Sequence, residues 1–131
     1  MKAYFDLLLL KLSERIRIQA PEQEHPYYNQ FCTLRNKIQL EPQKDWSIDA
    51  ICEKMALSRS YIQHLYKLFF GTNIISDVQA GRMEHAKYLL TTTDMSVTII
   101  SESCGYKSDV HFMRIFKKSV GITPSEFRKR N

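Results

Sequence analysis

Apolar residues recur along this chain at spacings of three and four, and nowhere do they alternate as strand residues do. That period belongs to α-helices with one buried face. The leading stretch sets Leu8, Leu9 and Leu12 on one side of a helix predicted over about 2–18. "QAPEQEHP" interrupts it as a linker does, being polar and flanked by prolines. A second helix starts near Pro26 and runs to about 40, where "EPQKDW" breaks the pattern. From Ser47 onward the punctuation is tight. Ser47 caps a short helix to about Ala56, and Ser58 caps the next, which Gly71 stops after Phe70. A long helix follows over about 74–92. Ser96 opens another short helix that ends at Gly105, and Ser108 caps one that ends at Gly121. "TPSEFRKR" has Thr123 as N-cap, Pro124 at the first helical position and Glu126 at the third, the arrangement of a capping box. The chain reads as all-α.

The pattern repeats. "SRSYIQHLYKLFFG" (58–71) lies on "SDVHFMRIFKKSVG" (108–121) at a constant shift of fifty positions. Ile62 matches Phe112, Leu65 matches Ile115, Tyr66 matches Phe116, and Lys67 matches Lys117. The short helices before them match at a shift of forty-nine, pairing Ser47 with Ser96, Ile48 with Val97 and Ile51 with Ile100. One extra residue therefore sits in the second turn. Each half is a short helix, a tight turn and a second helix, which is the helix-turn-helix unit.

At about 100° per residue, Ile62, Leu65, Tyr66 and Phe69 form one stripe, and Phe112, Ile115 and Phe116 form its equivalent. These are core positions. The opposite face carries Ser60, His64 and Lys67 in the first unit, with Gln63 on its flank. In the second it carries Val110, Arg114 and Lys117, with Met113 on the flank. One scaffold thus presents two different outward faces, as reading two different pieces of a surface requires. The DNA major groove accommodates such a helix. There Arg can bond guanine through two donors, Gln can pair with adenine, and an apolar side chain can touch a thymine methyl. A bare valine on a wet, basic face then has a partner. Lys67 and Lys117, farther along each helix, suit phosphates, which set register but not sequence. The connecting helix, about 18 residues at ~1.5 Å each, is roughly 27 Å long. With its flanking turns it can hold two units near the ~34 Å separation of successive major-groove faces.

Charge sharpens this picture. Net charge is +5, and the excess is local: residues 107–131 carry seven Lys/Arg against two Asp/Glu, while the rest of the chain is nearly balanced. A local basic patch favours a polyanion. The three cysteines, Cys32, Cys52 and Cys104, are odd in number and form no CxxC. No disulfide framework or zinc site is expected, and a reducing cytoplasm fits. Cys52 and Cys104 fall in apolar helical patterns and read as small buried thiols. His25, His85 and His111 make no metal-ligand set. "YFDLLLLKL" has too short an apolar run to span a bilayer, Asp6 interrupts it, and no cleavage pattern follows. Neither a membrane span nor a signal peptide is expected.

These residues resemble a family. From about 46 to 130, about two thirds of its length, the chain is similar to the DNA-binding domain of the AraC/XylS family of bacterial transcription regulators. "LSRSYIQHLYK" looks like the first recognition helix, and "GRMEHAKYLL" like the R-x-x-x-A-x-x-L-L of the linker helix. "GYKSDVHFMRIFKKSVGITPSEFRKR" is similar to the signature G-[FY]…F-x-x-x-F-K-x-x-x-G-x-[ST]-P-x-x-[FY]-R. The resemblance implies helix-turn-helix subdomains at about 47–71 and 96–121, a linker helix at about 74–92 and a terminal helix at about 123–130, all within a DNA-binding domain spanning 26–131. It puts Ser60, Gln63 and His64 on base-contacting positions of the first recognition helix, and Asp109, Val110, Met113 and Arg114 on those of the second. Arg59, Lys67, Lys107, Lys117 and Lys118 are the phosphate candidates. Ser101 stands where the family usually has a small apolar residue; a bond back to a helix carbonyl is expected for it. His111 and Val110 also replace commoner residues, so base preference does not transfer from relatives.

Several positions carry two readings. Asp109 can accept from a cytosine amino group or complement the positive end of its own helix, and phosphate repulsion favours the second. His64 is a base or phosphate contact, or a plain exposed histidine. Tyr61 and Tyr106 are expected to pack between helices, and Arg82 and Glu84 to serve helix packing and surface pairing. "RKR" at 128–130 is a phosphate contact or, the favoured reading, a frayed charged tail. Residues 1–25 read as an N-terminal helix and linker left from a sensor or dimerisation region of a longer regulator. Residues 1–45 are too few for a ligand pocket, and the helix bearing Leu8, Leu9 and Leu12 either mediates self-association or packs on the same chain. No nucleophile–base pair, Gly-rich phosphate loop or catalytic acidic pair is present, so no enzyme and no cofactor is expected. The partner is double-stranded DNA. The first rival is a helical protein-interaction module, for example one contacting RNA polymerase, without DNA readout. The second is an enzyme such as a DNA-repair methyltransferase fused to such a domain, which would need a reactive cysteine that the sequence does not show.

Overall fold

A computed structural model of the chain describes residues 24–131, so the helix predicted over 2–18 lies outside the described residues. The described residues hold helices and turns but no strand. In order they are α1 (Tyr28–Leu40), α2 (Ile48–Met55), α3 (Arg59–Phe70), α4 (Ile74–Thr92), α5 (Val97–Ser103), α6 (Asp109–Val120) and α7 (Pro124–Arg130).

The starts are set by side-chain caps. The Oγ atoms of Ser47, Ser58, Ser96 and Ser108 each accept from the backbone N–H three residues on, at 3.2 Å. Each satisfies a donor that the helix itself cannot, worth about 1 kcal/mol. Asn73 does the same for α4 at 2.8 Å. The capping box of α7 is complete: Thr123 Oγ1 accepts from Glu126 N–H at 3.1 Å, and Glu126 Oε1 accepts from Thr123 N–H at 3.0 Å. That backbone bond from Thr123 holds the Glu126 carboxyl below its ordinary range. Both α3 and α6 end on a left-handed glycine, Gly71 and Gly121.

Two cores are strung on α4. Its first half gives Ile74 and Val78 to a core with Ile51 of α2 and Ile62, Leu65 and Tyr66 of α3. Its second half gives Met83, Ala86 and Leu90 to a core with Ile100 of α5 and Phe112 and Phe116 of α6. Phe127 of α7 packs against the second core. Of the predicted stripes, Phe69 and Ile115 are only half-buried. Phe69 lies edge-on to Phe31 and Tyr28, at 5.3 and 5.2 Å between ring centres.

Helix α1, upstream of the stretch that resembles a known family, is integral to the first core. Phe31 and Ile38 are wholly buried there. Arg35 Nε donates to Asp77 Oδ2 at 2.9 Å, and the Tyr66 hydroxyl donates to the same oxygen at 2.5 Å. One carboxylate thereby joins α1, α3 and α4. Burial, and then the adjoining Asp77 carboxylate, push the Tyr66 phenol upward, so it remains a donor.

Three expectations are corrected. Ser101 does not bond back to a carbonyl: its Oγ is buried and has no hydrogen-bond partner among the described residues. Cys104 is buried, but Cys52 is only half-buried, packed against the first core from its edge. The "RKR" segment is not a frayed tail. It lies in α7, and Arg128 donates to Leu90 O and Thr93 O, both at 3.2 Å. Arg128 thus satisfies carbonyls at the end of α4 that have no helical partner.

Candidate nucleic-acid interface

Helices α3 and α6 bury one face each and leave the other bare. Ser60, Gln63, His64 and Lys67 are exposed along α3. Among the described residues, none holds their side chains by a hydrogen bond or an ion pair. On α6, Val110 is 65% exposed and Met113 39%, with Arg114, Lys117 and Lys118 exposed beside them. Lys107 is exposed in the turn that leads into α6. The ends repeat closely: Gly71 N–H donates to Lys67 O and Gly121 N–H to Lys117 O, both at 2.8 Å. The two lysines therefore sit at the same place on the last turn of equivalent helices.

Three predicted site residues are engaged within the protein. Arg59 pairs with Asp49 of α2. Asp109, half-buried, accepts from Thr98 Oγ1 of α5 at 3.0 Å. Arg114 Nη2 lies 3.0 Å from His111 Nδ1, one turn earlier on α6. That contact occupies a single guanidinium nitrogen of an exposed side chain, and the other donors of the fork have no partner among the described residues. The residue types of Asp49 and Thr98 do not by themselves indicate these contacts. The repeat carries their signal, since Asp49 and Thr98 correspond at the shift of forty-nine, and Arg59 and Asp109 at the shift of fifty.

Of the tyrosines, Tyr106 is buried and Tyr61 is half-exposed, its ring 6.1 Å from that of Tyr27. Glu84 pairs with Lys87 at 3.2 Å on the surface of α4. Burial pushes the Cys104 thiol up to about 11, so at neutral pH it is a protonated core group and not a nucleophile. Among the described residues, no group of three or more His, Cys, Asp or Glu is placed to hold a metal ion. No described helix is long and apolar enough to cross a membrane.

The comparisons with known proteins meet this geometry. A family profile described as a helix-turn-helix domain matches residues 51–130. The arabinose operon regulatory protein of Escherichia coli K12 is 33% identical over 84 residues, which are 64% of this chain and 29% of that protein. Among solved structures, the C-terminal domain of the two-component response regulator yesN from Fusobacterium nucleatum superposes with a TM-score of 0.72 at 31% identity, covering 76% of this chain and 98% of that one. The chain belongs to the AraC/XylS family. A further solved structure of similar fold is the DNA-binding domain of AdpA, in complex with a target DNA. It has a TM-score of 0.70 at 19% identity over 76% of this chain and 89% of that one, a likeness of fold. This AraC/XylS chain spans under a third of the length of the curated relatives it matches, about 29% of the arabinose regulator. The matched segment begins after α1, yet the core of the module needs α1 for Phe31 and Ile38.

Proposed function

We propose that this chain is the sequence-specific DNA-binding module of a bacterial transcription regulator, acting in the cytoplasm and catalysing no reaction. The observation that carries this reading is the pair of equivalent, similarly capped helices, α3 and α6, whose exposed faces differ in chemistry. Ser60, Gln63 and His64 would read one major-groove segment; Val110, Met113 and Arg114 would read the next. Arg114 can address a guanine, Gln63 an adenine, and Val110 a thymine methyl. Lys67, Lys107, Lys117 and Lys118 would hold phosphates and set register. Because the two faces differ, the site need not be a palindrome. The AdpA domain, seen on its target DNA, supports this use of the fold. Contact with RNA polymerase, and self-association through residues upstream of α1, would accompany this DNA-binding role.

Selection of bound duplexes from a random pool tests the reading. It predicts an enriched site with two dissimilar halves. Affinity should fall steeply with added salt, because several phosphates are neutralised. Flat salt dependence and no enriched sequence would instead mark a protein-interaction module.

A further inference from the structure

Each helix-turn-helix unit grips only half of α4, so a second restraint is needed to stop one unit from turning against the other. We propose that the turn between α1 and α2 is a clasp that locks the second unit to the first, and that Arg82 is the positioning residue that closes it. Arg82 would then set which spacing between half-sites the protein accepts. This rests on the DNA-binding reading above.

The turn is itself stiff. Trp46 Nε1 donates to Glu41 O at 2.8 Å, and Lys44 N–H donates to the same carbonyl at 3.2 Å. Pro42 is buried. From α4, Arg82 reaches across with two donors at once: Nε to Pro42 O at 2.7 Å, and Nη2 to Lys44 O at 2.8 Å. Its guanidinium carbon lies 5.2 Å from the centre of the Tyr106 ring. Tyr106 belongs to the second core and packs on Phe112 of α6, at 5.5 Å between rings. A continuous path therefore runs from the turn of the first unit, through Arg82, to the back of the second recognition helix.

Two glycines let the parts close. A Cβ on Gly105, the left-handed residue between α5 and α6, would lie 2.5 Å from Gln43 O and 3.1 Å from the Arg82 guanidinium carbon. A Cβ on Gly81 would lie 2.9 Å from Pro42 Cβ. Gly105 and Gln43 belong to different units, so this contact is a steric stop against relative rotation. Apolar packing alone tolerates sliding, whereas directed bonds from a planar two-donor fork do not. A lysine in place of Arg82 offers a single point charge that cannot span both carbonyls in one plane.

The geometry matters because one base pair of altered spacing moves a half-site by ~3.4 Å and turns it by roughly 35°. A rigid pair of units rejects such a shift; a hinged pair follows it.

Two measurements test the clasp, with Arg82→Met and Arg82→Lys beside the unaltered chain. The first uses residual dipolar couplings of the free protein. One alignment tensor should fit the amides of α2–α3 and α5–α6 together in the unaltered chain, and two should be needed for Arg82→Met. The second uses the selected duplex with one base pair inserted or removed between its halves. The unaltered chain should lose about tenfold or more in affinity at each change, and Arg82→Met less than about threefold, with base preference within each half unchanged. Arg82→Lys should fall between. A single tensor and an unaltered spacing profile in a folded Arg82→Met would overturn the proposal. If Arg82→Met does not fold, Arg82→Lys decides by the same two readouts. If the unaltered chain prefers no duplex, the DNA-binding reading fails, while the couplings still decide the clasp.

Discussion

Replacing Ser101 with alanine should stabilise the protein, and the structure supplies the magnitude. The Ser101 side chain is wholly buried, and its Oγ meets no hydrogen-bond partner among the described residues. A buried hydroxyl left unsatisfied costs about 1–3 kcal/mol relative to one in water. Ser101 also lies inside α5, where alanine is the better helix former by roughly 0.5 kcal/mol. Against these stands the lost packing of one oxygen, less than the ~0.8 kcal/mol of a methylene. The balance is a gain of about 1–2 kcal/mol. Urea unfolding followed by far-ultraviolet circular dichroism measures it: the midpoint should rise with no change in slope. Ser101→Cys, which copies the residue at the equivalent position Cys52, should also stabilise, since a thiol loses less on burial than a hydroxyl. DNA affinity should not change, because α5 is not a reading helix. A lower or unchanged midpoint for Ser101→Ala would mean that the hydroxyl is satisfied, by a bound water for instance, and would refute the reasoning.

The other expectations bear on the recognition faces and on one turn. Arg114→Ala should cost about 1–3 kcal/mol at the selected site and relax preference at one or two base pairs, read from binding to single-substitution duplexes. Equal losses on every sequence would deny it a base-reading role. Lys117→Ala should weaken all duplexes alike and lower the salt slope by about one, read from affinity against salt concentration. Ala56 ends α2 in the left-handed region at φ 56°, where a Cβ is strained. Ala56→Gly should therefore gain a few tenths to about 1 kcal/mol in chemical denaturation, the relief of strain exceeding the entropy that glycine adds to the unfolded chain.

Most of the local structure was legible because it is written in local chemistry. Serine caps, stop glycines and the capping box lie within a few residues of the ends they make, and the helices formed where they stand. The repeat exposed both units and both outward faces, because Ile62 and Phe112 must point inward on equivalent helices. What stayed hidden depends on residues far apart in sequence. Nothing near Arg82 indicates that its partners are the carbonyls of Pro42 and Lys44, which any residues at those positions would present. Nothing near α1 shows that Arg35 and Tyr66 share the Asp77 carboxylate. Ser101 is unusual already in the sequence, but whether a buried hydroxyl finds a carbonyl depends on a rotamer that packing selects. In sequence Arg128 is one more charge in a basic tail; only the fold brings the end of α4 beside it.

The repeat also bears on Asp109. In the first unit, the first residue of the reading helix, Arg59, pairs with Asp49, the second residue of the helix before it. In the second unit the corresponding positions are Asp109 and Thr98, and they too are joined. The acid has changed sides and one partner has become neutral, yet the link survives. Selection for base reading would have no reason to preserve it, whereas a strut that fixes the angle between the two helices of each unit would. Asp109 is therefore expected to be a strut first. Asp109→Asn keeps an oxygen to accept from Thr98 and should leave base preference unchanged. It should bind all duplexes slightly more tightly, since a negative charge beside phosphates is removed. Asp109→Ala removes the acceptor and should cost about 0.5–1.5 kcal/mol of stability, as should Thr98→Val. The double variant should cost little more than either single change, because both remove one bond. If Asp109→Asn instead switches preference at a cytosine in the selected site, the residue reads a base and the strut is incidental.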